Sequence, residues 1–430
     1  MKFIDNYFKI TQAGSTISTE IIAGFTTFFT MSYIIFVNPV ILRDAGMPYR
    51  GVLAATVLVC AVSSVMMGLF ANLPYGLAPG MGINAFFAYT LVLSKGISWQ
   101  TALGAVFISG IIFIILTLAG IRENIVKAIP PNLRRAVAAG IGIFIAFIGL
   151  QKAGVISGSN ATMVSLGQLD TKACLFFAGL LFTGILVLKK YKIALLAGIV
   201  FTSLLGIIFG QAAIPERIIV LPDFSSVFFK MNIKAVFQVS MIAPVFTFLF
   251  TDMFDSISTF MGVSQAAGLT DADGQPRNIG KALFVDAVST TISGLFGTSS
   301  GTTYIESAAG VQEGGRTGLT AVVVGLLFLP FLFFAGAASV IPGYATSPAL
   351  VIVGVYMMTV ITEINFRDFE EGFPAFLSII MIPLTYSITQ GIIWGFISYT
   401  LFKVIMGKFR ELHPMMFVIS LFSVLALIYG

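Results

Sequence analysis

Apolar runs long enough to cross a membrane recur along the whole of this 430-residue chain. A helix needs about 20 mainly apolar residues to span the hydrocarbon core of a bilayer. Of the residues here, 57% are hydrophobic and only 10% are charged, whereas a soluble domain carries about 25% charged residues. The pattern predicts an all-α polytopic membrane protein. Its net charge of +5 is better explained by cytoplasmic loops than by a nucleic-acid-binding surface.

The apolar runs divide into thirteen nearly full spans and two of about half length, Ile83–Leu93 and Tyr304–Val311. The last run, Met415–Tyr429, is predicted as either a final span or an interfacial helix. The other full spans are Ile21–Leu42, Val52–Leu73, Ala102–Ala119, Ala136–Leu150, Ala173–Leu188, Ile193–Gly210, Phe237–Val263, Ala282–Phe296, Leu319–Ile341, Ala349–Ile361, Phe373–Tyr386 and Ile388–Ile405.

Basic residues cluster after the fourth, sixth, eighth and fourteenth segments. Positively charged loops stay on the cytoplasmic side. We therefore expect a plasma-membrane protein whose N-terminus and even-numbered junctions are cytoplasmic. The clusters are Arg122, Lys127, Arg134 and Arg135; Lys189, Lys190 and Lys192; Arg277 and Lys281; and Lys403, Lys408 and Arg410.

Four stretches of the first half are repeated in order in the second half, at nearly one offset. Such self-similarity indicates an internal duplication. Seven segments per unit is an odd number, so the second copy must be inserted upside down, as in the inverted repeats of secondary transporters. The matched stretches are Phe25–Thr30 with Phe246–Thr251, Asp44–Met47 with Ala266–Leu269, Ile83–Ala88 with Ile305–Ala309, and Thr101–Val106 with Thr317–Val322.

The two half-length segments occupy matching places in the two halves, and a glycine-rich stretch precedes each of them. These stretches are "GLAPGMG" at Gly76–Gly82 and "GTSSGTT" at Gly297–Thr303. A helix of about 10 residues covers only about 15 Å, half of the hydrocarbon thickness. The rest must be extended backbone, which small residues allow to pair inside the protein. We expect the two half-helix N-termini to meet near the midplane and to form a ligand site.

Few carboxylates lie inside apolar segments, so each is a candidate for function. Asp252 and Asp255, spaced three apart, are predicted to share one helical face. Glu306 begins the tenth segment, and Asp286 lies in the ninth. An ionisable group at bilayer depth faces the protein interior or a cavity. The structural alternatives are that the aspartates cap neighbouring helices and that Glu306 only interacts with a helix dipole.

Asn84 occupies the place of Glu306 in the first repeat, where it is either a ligand contact or a helix cap. The single histidine, His413, lies near the C-terminal end and excludes a histidine proton relay or a histidine-based metal centre. No Ser/His/Asp arrangement is available within the membrane. The chain is therefore not predicted to be an enzyme, and no motif in it indicates a cofactor.

Four stretches of the chain resemble signatures of the purine permeases, the hypoxanthine/guanine/adenine branch of the nucleobase/ascorbate transporter superfamily. The resemblance implies fourteen segments in two inverted sevens, with short antiparallel strands in segments 3 and 10. It implies a core of residues 17–125 and 235–343 and a gate of residues 126–212 and 344–430. It also implies proton-coupled import, with dimers known in the superfamily. The stretches are "TEIIAGFTTFFTMSYIIFVNP", "GMGINAFFAYT", "FTDMFDSISTFMGV" and "TSSGTTYIESAAGVQEGGRTGLTA".

The resemblance also implies roles for individual residues. Asp252 takes the place of the segment-8 acid that binds the base, and Glu306 takes the place of the segment-10 acid that binds its other edge. Asn84 is the polar residue of segment 3, and Asp255 is the second segment-8 acid important for transport. The backbone groups of Ala85 and Ile305 would complete the site. The uracil and xanthine branches carry Glu where Asp252 stands, which favours the purine branch.

A planar, neutral purine base carries N–H donors and C=O acceptors on its edges, so buried carboxylates and backbone amides suit it. The absence of Lys or Arg near the acids argues against an anion transporter of the same fold. Burial disfavours a charged carboxylate, so Asp252, Asp255 or Glu306 is expected to carry the coupled proton, with Asp286 a weaker candidate. Transport would follow from elevator-like movement of the core against the gate. An uncoupled facilitator and an anion transporter stay open as alternatives, and the preferred purine is not indicated.

Overall fold

The computed structural model describes residues 2–120, 129–160, 162–215, 217–270 and 277–429. Arg122 and Lys127, two of the basic residues used above to predict orientation, lie outside the described residues. The same holds for the expected boundary between residues 125 and 126. All statements below refer to the described part of the chain.

Helices make up most of the described chain, and nine of them are long and apolar enough to cross a membrane. Shorter π-helical and 3₁₀ pieces interrupt or extend them, at Met67–Ala71, Phe86–Ser94, Val239–Met241, Leu329–Phe333, Thr359–Glu363 and Phe409–Glu411. The α-helices are α1 (Lys2–Phe8), α2 (Ile17–Met31), α3 (Ile34–Asp44), α4 (Tyr49–Met66), α5 (Met81–Ala85), α6 (Trp99–Leu118), α7 (Pro131–Lys152), α8 (Thr171–Leu188), α9 (Ala194–Ile208), α10 (Ile233–Val236), α11 (Ile242–Ala267), α12 (Ile279–Phe296), α13 (Ser307–Gln312), α14 (Gly318–Phe328), α15 (Ala335–Ser339), α16 (Gly343–Met358), α17 (Phe369–Leu384), α18 (Ile388–Ile405) and α19 (Pro414–Tyr429).

Several segments expected to be full spans are shorter or broken in the structure. The run Leu319–Ile341 forms α14, a 3₁₀ piece and the short α15. Pro330 explains the end of α14, because proline has no N–H to donate and its ring clashes with the preceding turn. The final run forms the helix α19, which packs against α18. The polytopic helical class is confirmed. The described residues contain nine helical stretches long and apolar enough to cross a membrane, where we expected thirteen nearly full spans.

Two short strands cross inside the helical bundle, where the sequence predicted extended backbone. Strand β1 (Leu77–Pro79) pairs antiparallel with β4 (Gly301–Thr303), and all six residues are buried. The register places Leu77 opposite Thr303 and Pro79 opposite Gly301. A side chain at Gly301 would place its Cβ 2.3 Å from Ser289 Oγ on α12, so only glycine permits this approach.

Each strand leads into a short helix, although the two helices differ in length. After β1, α5 continues as the π-helical piece Phe86–Ser94. After β4, α13 contains only the six residues Ser307–Gln312, fewer than the half-length segment that we expected. A separate pair of antiparallel strands, β2 (Ile156–Ser159) and β3 (Met163–Leu166), forms a hairpin that is largely exposed. This hairpin was not predicted from the sequence.

Loop contacts define two ends of the molecule. At one end, the Tyr7 hydroxyl donates to the Leu69 carbonyl (3.0 Å) and the Asn278 amide donates to the Ala71 carbonyl (2.9 Å). The N-terminal helix, the end of the second segment and the described part of the loop after the eighth segment therefore lie together. At the other end, Lys152 forms an ion pair with Asp44 at 2.7 Å.

Candidate functional site

The crossing of β1 and β4 forms the frame of the candidate site. The Gly80 N–H donates to the Ser300 carbonyl (2.9 Å), and the Tyr304 N–H donates to the Gly76 carbonyl (3.0 Å). The Tyr304 hydroxyl donates to the Pro79 carbonyl at 2.6 Å. Extended backbone inside a membrane protein needs such partners, because lipid offers none. These bonds fix the position of the residues that follow each strand.

A small cavity beside β4 contains two of the predicted acids, Asp255 and Glu306. Its volume is about 50 Å³, which is room for a few water molecules. None of the described residues that line it carries a positive charge. The lining residues are Tyr33, Met81, Asp255, Thr303, Tyr304, Ile305, Glu306, Val353 and Met357.

Glu306 lies where the small cavity meets a wider cleft of about 530 Å³. Both spaces are also lined by Ile305, Val353 and Met357. The wider cleft, but not the small cavity, is lined by Lys190 and Lys192. Glu306 directly precedes α13, but its side chain forms no helix-capping hydrogen bond. The alternative stated for Glu306, an interaction with the helix dipole alone, stays a prediction.

Tyr33 is a partner of Glu306 that the sequence did not reveal. Its hydroxyl donates to Glu306 Oε1 at 2.7 Å, and its side chain is buried. Tyr33 lies in the two-residue break between α2 and α3. A buried tyrosine hydroxyl usually has a hydrogen-bond partner, which is the signal that a tyrosine inside an apolar run offers. The partner lies 273 residues away in sequence.

Asp252 is fully buried behind β4 and is not among the residues that line the cavity. The Thr290 hydroxyl donates to Asp252 Oδ2 at 2.5 Å, and the Ser300 hydroxyl donates to the same oxygen. These bonds connect α11 to α12 and to the chain just before β4. Asp252 and Asp255 thus have different surroundings, although their spacing predicted one shared face.

Asp286 belongs to the same buried surroundings as Asp252. Ser256 donates to Asp286 Oδ1 at 2.6 Å, and its oxygen lies 2.6 Å from Thr302 Oγ1. The two acids and the hydroxyls of Ser256, Thr290, Ser300 and Thr302 form what we call the hydroxyl cluster. The predicted acids therefore form two groups, with Asp255 and Glu306 at the cavity and Asp252 and Asp286 in the hydroxyl cluster.

Two stretches of chain pair inside the bundle, which we call the first crossing (residues 76–85, containing β1) and the second crossing (residues 297–306, containing β4). Asn84 links the first crossing to the second and does not cap a helix. The Ser299 hydroxyl donates to its side-chain carbonyl, and Asn84 is fully buried. The residue that caps α5 is Gly80, without a side-chain bond. Neither Asn84 nor Ala85 lines the small cavity, whereas Ile305, 56% exposed, lines both the cavity and the cleft.

Comparison with known proteins places the whole chain in a family. The Permease family matches residues 18–394. The adenine permease AdeQ of Escherichia coli (strain K12) is 42% identical over 99% of this chain and 96% of its own length. The guanine/hypoxanthine permease PbuO of Bacillus subtilis (strain 168) is 42% identical over 96% of this chain and 98% of its own.

A solved structure shows the same fold at low sequence identity. The transmembrane domain of the cyanobacterial bicarbonate transporter BicA superimposes with a TM-score of 0.67 and 16% identity, covering 87% of this chain and 97% of that domain. This likeness shows the fold alone and says nothing about role or substrate. The chain therefore belongs to the Permease family, and its full-length relatives include purine permeases of the kind that its sequence motifs resemble.

Proposed function

We propose that this chain imports purine nucleobases across the plasma membrane by proton symport. The observation that carries the proposal is the small cavity, where two carboxylates, Asp255 and Glu306, face a space lined by apolar and aromatic side chains. The relatives named as adenine and guanine/hypoxanthine permeases support this substrate class. A neutral base with N–H donors suits such a site, whereas an anion would require a positive charge.

In this proposal Asp255 and Glu306 accept hydrogen bonds from the N–H groups of the base. Ile305 borders the same space, and the bond between Asn84 and Ser299 holds the first crossing against the second. Asp252 acts from behind β4, because its bonds with Thr290 and Ser300 fix the strand. The geometry thus favours Asp255 over Asp252 for the direct contact that the family resemblance gave to Asp252.

Proton coupling is part of the proposal because four carboxyl groups lie within the bundle. Burial in a medium of low dielectric constant disfavours the charged form of a carboxyl group. Asp255 and Glu306 at the cavity, and Asp252 and Asp286 in the hydroxyl cluster, are the candidates to carry a proton. Carboxyl groups that interact titrate as a set, so we assign the coupled proton to the set and not to one residue.

The cavity lies between the proposed core and the proposed gate, and this supports alternating access. Its lining residues come from core ranges 17–125 and 235–343, except Val353 and Met357, which lie on α16 in the gate range 344–430. Movement of α16 away from the core would widen the space for a base. We therefore propose fourteen segments in two inverted repeats and an elevator-like movement of the core against the gate.

One end of the core–gate boundary is closed. Asp44 pairs with Lys152 at 2.7 Å and accepts from the Tyr89 hydroxyl at 2.8 Å. The Thr90 hydroxyl donates to the Tyr386 carbonyl at 2.7 Å. Asp44, Tyr89 and Thr90 belong to the proposed core, and Lys152 and Tyr386 to the proposed gate. We propose that this is the external end.

The opposite end of the core–gate boundary holds the wider cleft. Lys190 and Lys192 line this cleft, and Lys192 lies 3.6 Å from Glu313 in the loop after α13. Positively charged loops mark the cytoplasmic side. We therefore propose an inward-facing conformation with a cytoplasmic N-terminus.

Purified protein in proteoliposomes tests the proposal. With an acidic exterior, labelled hypoxanthine or adenine should accumulate above its external concentration, and an uncoupler should abolish the accumulation. Equilibration without accumulation would contradict symport and indicate an uncoupled facilitator. Competition by bicarbonate or sulfate, with none by purines, would contradict the substrate class and indicate an anion transporter.

A further inference from the structure

Thr303 differs from its two neighbours in the hydrogen bonding of its side chain. Thr302 Oγ1 lies 2.6 Å from Ser256 Oγ, and the Tyr304 hydroxyl donates to Pro79. Thr303 lines the small cavity and is only 1% exposed. Its Oγ1 is buried and has no hydrogen-bond partner among the residues that the structure describes. A buried hydroxyl without a partner costs free energy, so this one requires an explanation.

The position of Thr303 on β4 determines the direction of its side chain. Successive side chains of a strand point to opposite faces. Thr302 contacts the hydroxyl cluster on one face, and Thr303 lies on the other face at the cavity. Pairing with Leu77 and the close approach of Gly301 to α12 fix the backbone of β4, so the strand cannot shift to bring Thr303 to another protein group.

We propose that Thr303 is a specificity-determining residue whose hydroxyl hydrogen-bonds to a polar substituent of the bound base. The inference rests on the proposed function, since it assumes that a purine occupies the cavity. A hydroxyl both donates and accepts, so it suits the oxo group of hypoxanthine as well as the amino group of adenine. A site built around such a bond disfavours an analogue that lacks the group. Thr303 should therefore increase the affinity for purines with an oxo or amino substituent relative to the affinity for unsubstituted purine.

The test measures dissociation constants of hypoxanthine, adenine and unsubstituted purine for the full-length protein and three variants. Thr303→Val has nearly the same shape without the hydroxyl, and Thr303→Ser keeps the hydroxyl. Thr27→Val is the matched control, because Thr27 is fully buried with an unpartnered Oγ1 and lines neither the cavity nor the cleft. If Thr303→Val does not reach the membrane, Thr303→Ala takes its place.

The expected result is selective. Thr303→Val should weaken binding of at least one substituted base about tenfold, roughly the contribution of one hydrogen bond with a buried partner. Binding of unsubstituted purine should change by less than about twofold, and Thr303→Ser and Thr27→Val should bind all three like the unmodified protein. Equal losses for all three ligands, or none, would overturn the inference. If the unmodified protein binds none of them, the proposed function itself fails.

Discussion

The two crossings that meet at β1 and β4 share one backbone plan but differ in chemistry. The first, "GLAPGMGINA", is apolar except for Asn84, whereas the second, "GTSSGTTYIE", carries five hydroxyl groups before Tyr304 and ends on a carboxylate. Both contain a buried three-residue strand, with glycines beside β1 and at the first residue of β4. The first crossing contributes mainly shape, whereas the second contributes Thr303 and Glu306 to the cavity and Ser300 and Thr302 to the hydroxyl cluster. Two stretches with the same backbone geometry can therefore carry different chemistry.

The largest expected effect is on base binding, and it should differ between Glu306 and Asn84, the residues predicted to occupy matching positions. Glu306→Gln should weaken hypoxanthine binding about 100-fold, because a hydrogen bond to a charged acceptor contributes about 1.5–3 kcal/mol. Asn84→Ala should cost less than about tenfold, since Asn84 contacts Ser299 and not the cavity. Binding and uptake should be measured beside Glu363→Gln, a change at an exposed carboxylate paired with Arg135. A greater loss in Asn84→Ala than in Glu306→Gln would reverse the assignment of roles.

The two segment-8 aspartates should respond differently to loss of charge. Asp255→Asn should weaken base binding about 30-fold with little change in thermal stability, because Asp255 faces the cavity. Asp252→Asn should mainly lower the melting temperature, because Asp252 accepts bonds from Thr290 and Ser300. Equilibrium binding and thermal unfolding in detergent check both variants. If Asp252→Asn weakened base binding more than Asp255→Asn, Asp252 and not Asp255 would be the residue that contacts the base.

Replacement of glycine by alanine should destabilise the protein more at Gly301, in the second crossing, than at Gly76, in the first. An added Cβ at Gly301 would lie 2.3 Å from Ser289 Oγ in a packed region, so Gly301→Ala should destabilise the protein by about 1–3 kcal/mol. At Gly76 the nearest atom is Met31 Sδ at 2.6 Å, on a flexible side chain that can move aside. Gly76→Ala should therefore cost less than about 1 kcal/mol. Thermal unfolding of the two variants measures the difference, and equal destabilisation would contradict it.

Among the changes in this series at residues that line the cavity, Tyr33→Phe should have the smallest effect on binding. The change removes the hydroxyl that donates to Glu306 Oε1 and keeps the ring in place. Base binding should weaken about tenfold or less, because the carboxylate loses one of the bonds that orient it. Tyr304→Phe is the comparison, because the Tyr304 hydroxyl donates to the Pro79 carbonyl and not to Glu306. Unchanged affinity in Tyr33→Phe would show that Glu306 is held without it.

Several features of the site were predictable because they depend on local sequence. Glycine-rich stretches before two short apolar segments predicted the crossing, which the structure shows as β1 paired with β4. The position of Glu306 three residues after the end of β4 follows from chain order alone. The carboxylates inside apolar runs were correctly expected to face the protein interior, apart from the details of their partners.

Other features depend on contacts between distant parts of the chain, so the sequence did not reveal them. A spacing of three turns a helix by roughly 300°, leaving about 60° between Asp252 and Asp255. That difference is enough to direct one to the hydroxyl cluster and the other to the cavity. The Tyr33–Glu306 bond and the unpartnered hydroxyl of Thr303 require the tertiary packing of β4 against its neighbours. The exposed β2–β3 hairpin lacks a strong strand pattern in its short segments.

The central claim is that a purine base binds between Asp255 and Glu306. An experimental structure of the protein with hypoxanthine tests it most directly. The account predicts that the base lies beside β4, with ring N–H groups within about 2.7–3.2 Å of carboxylate oxygens of Asp255 and Glu306. It also predicts that the small cavity is widened by displacement of α16. A base bound elsewhere, for example beside Lys190 and Lys192 in the wider cleft without contact to either carboxylate, would contradict it.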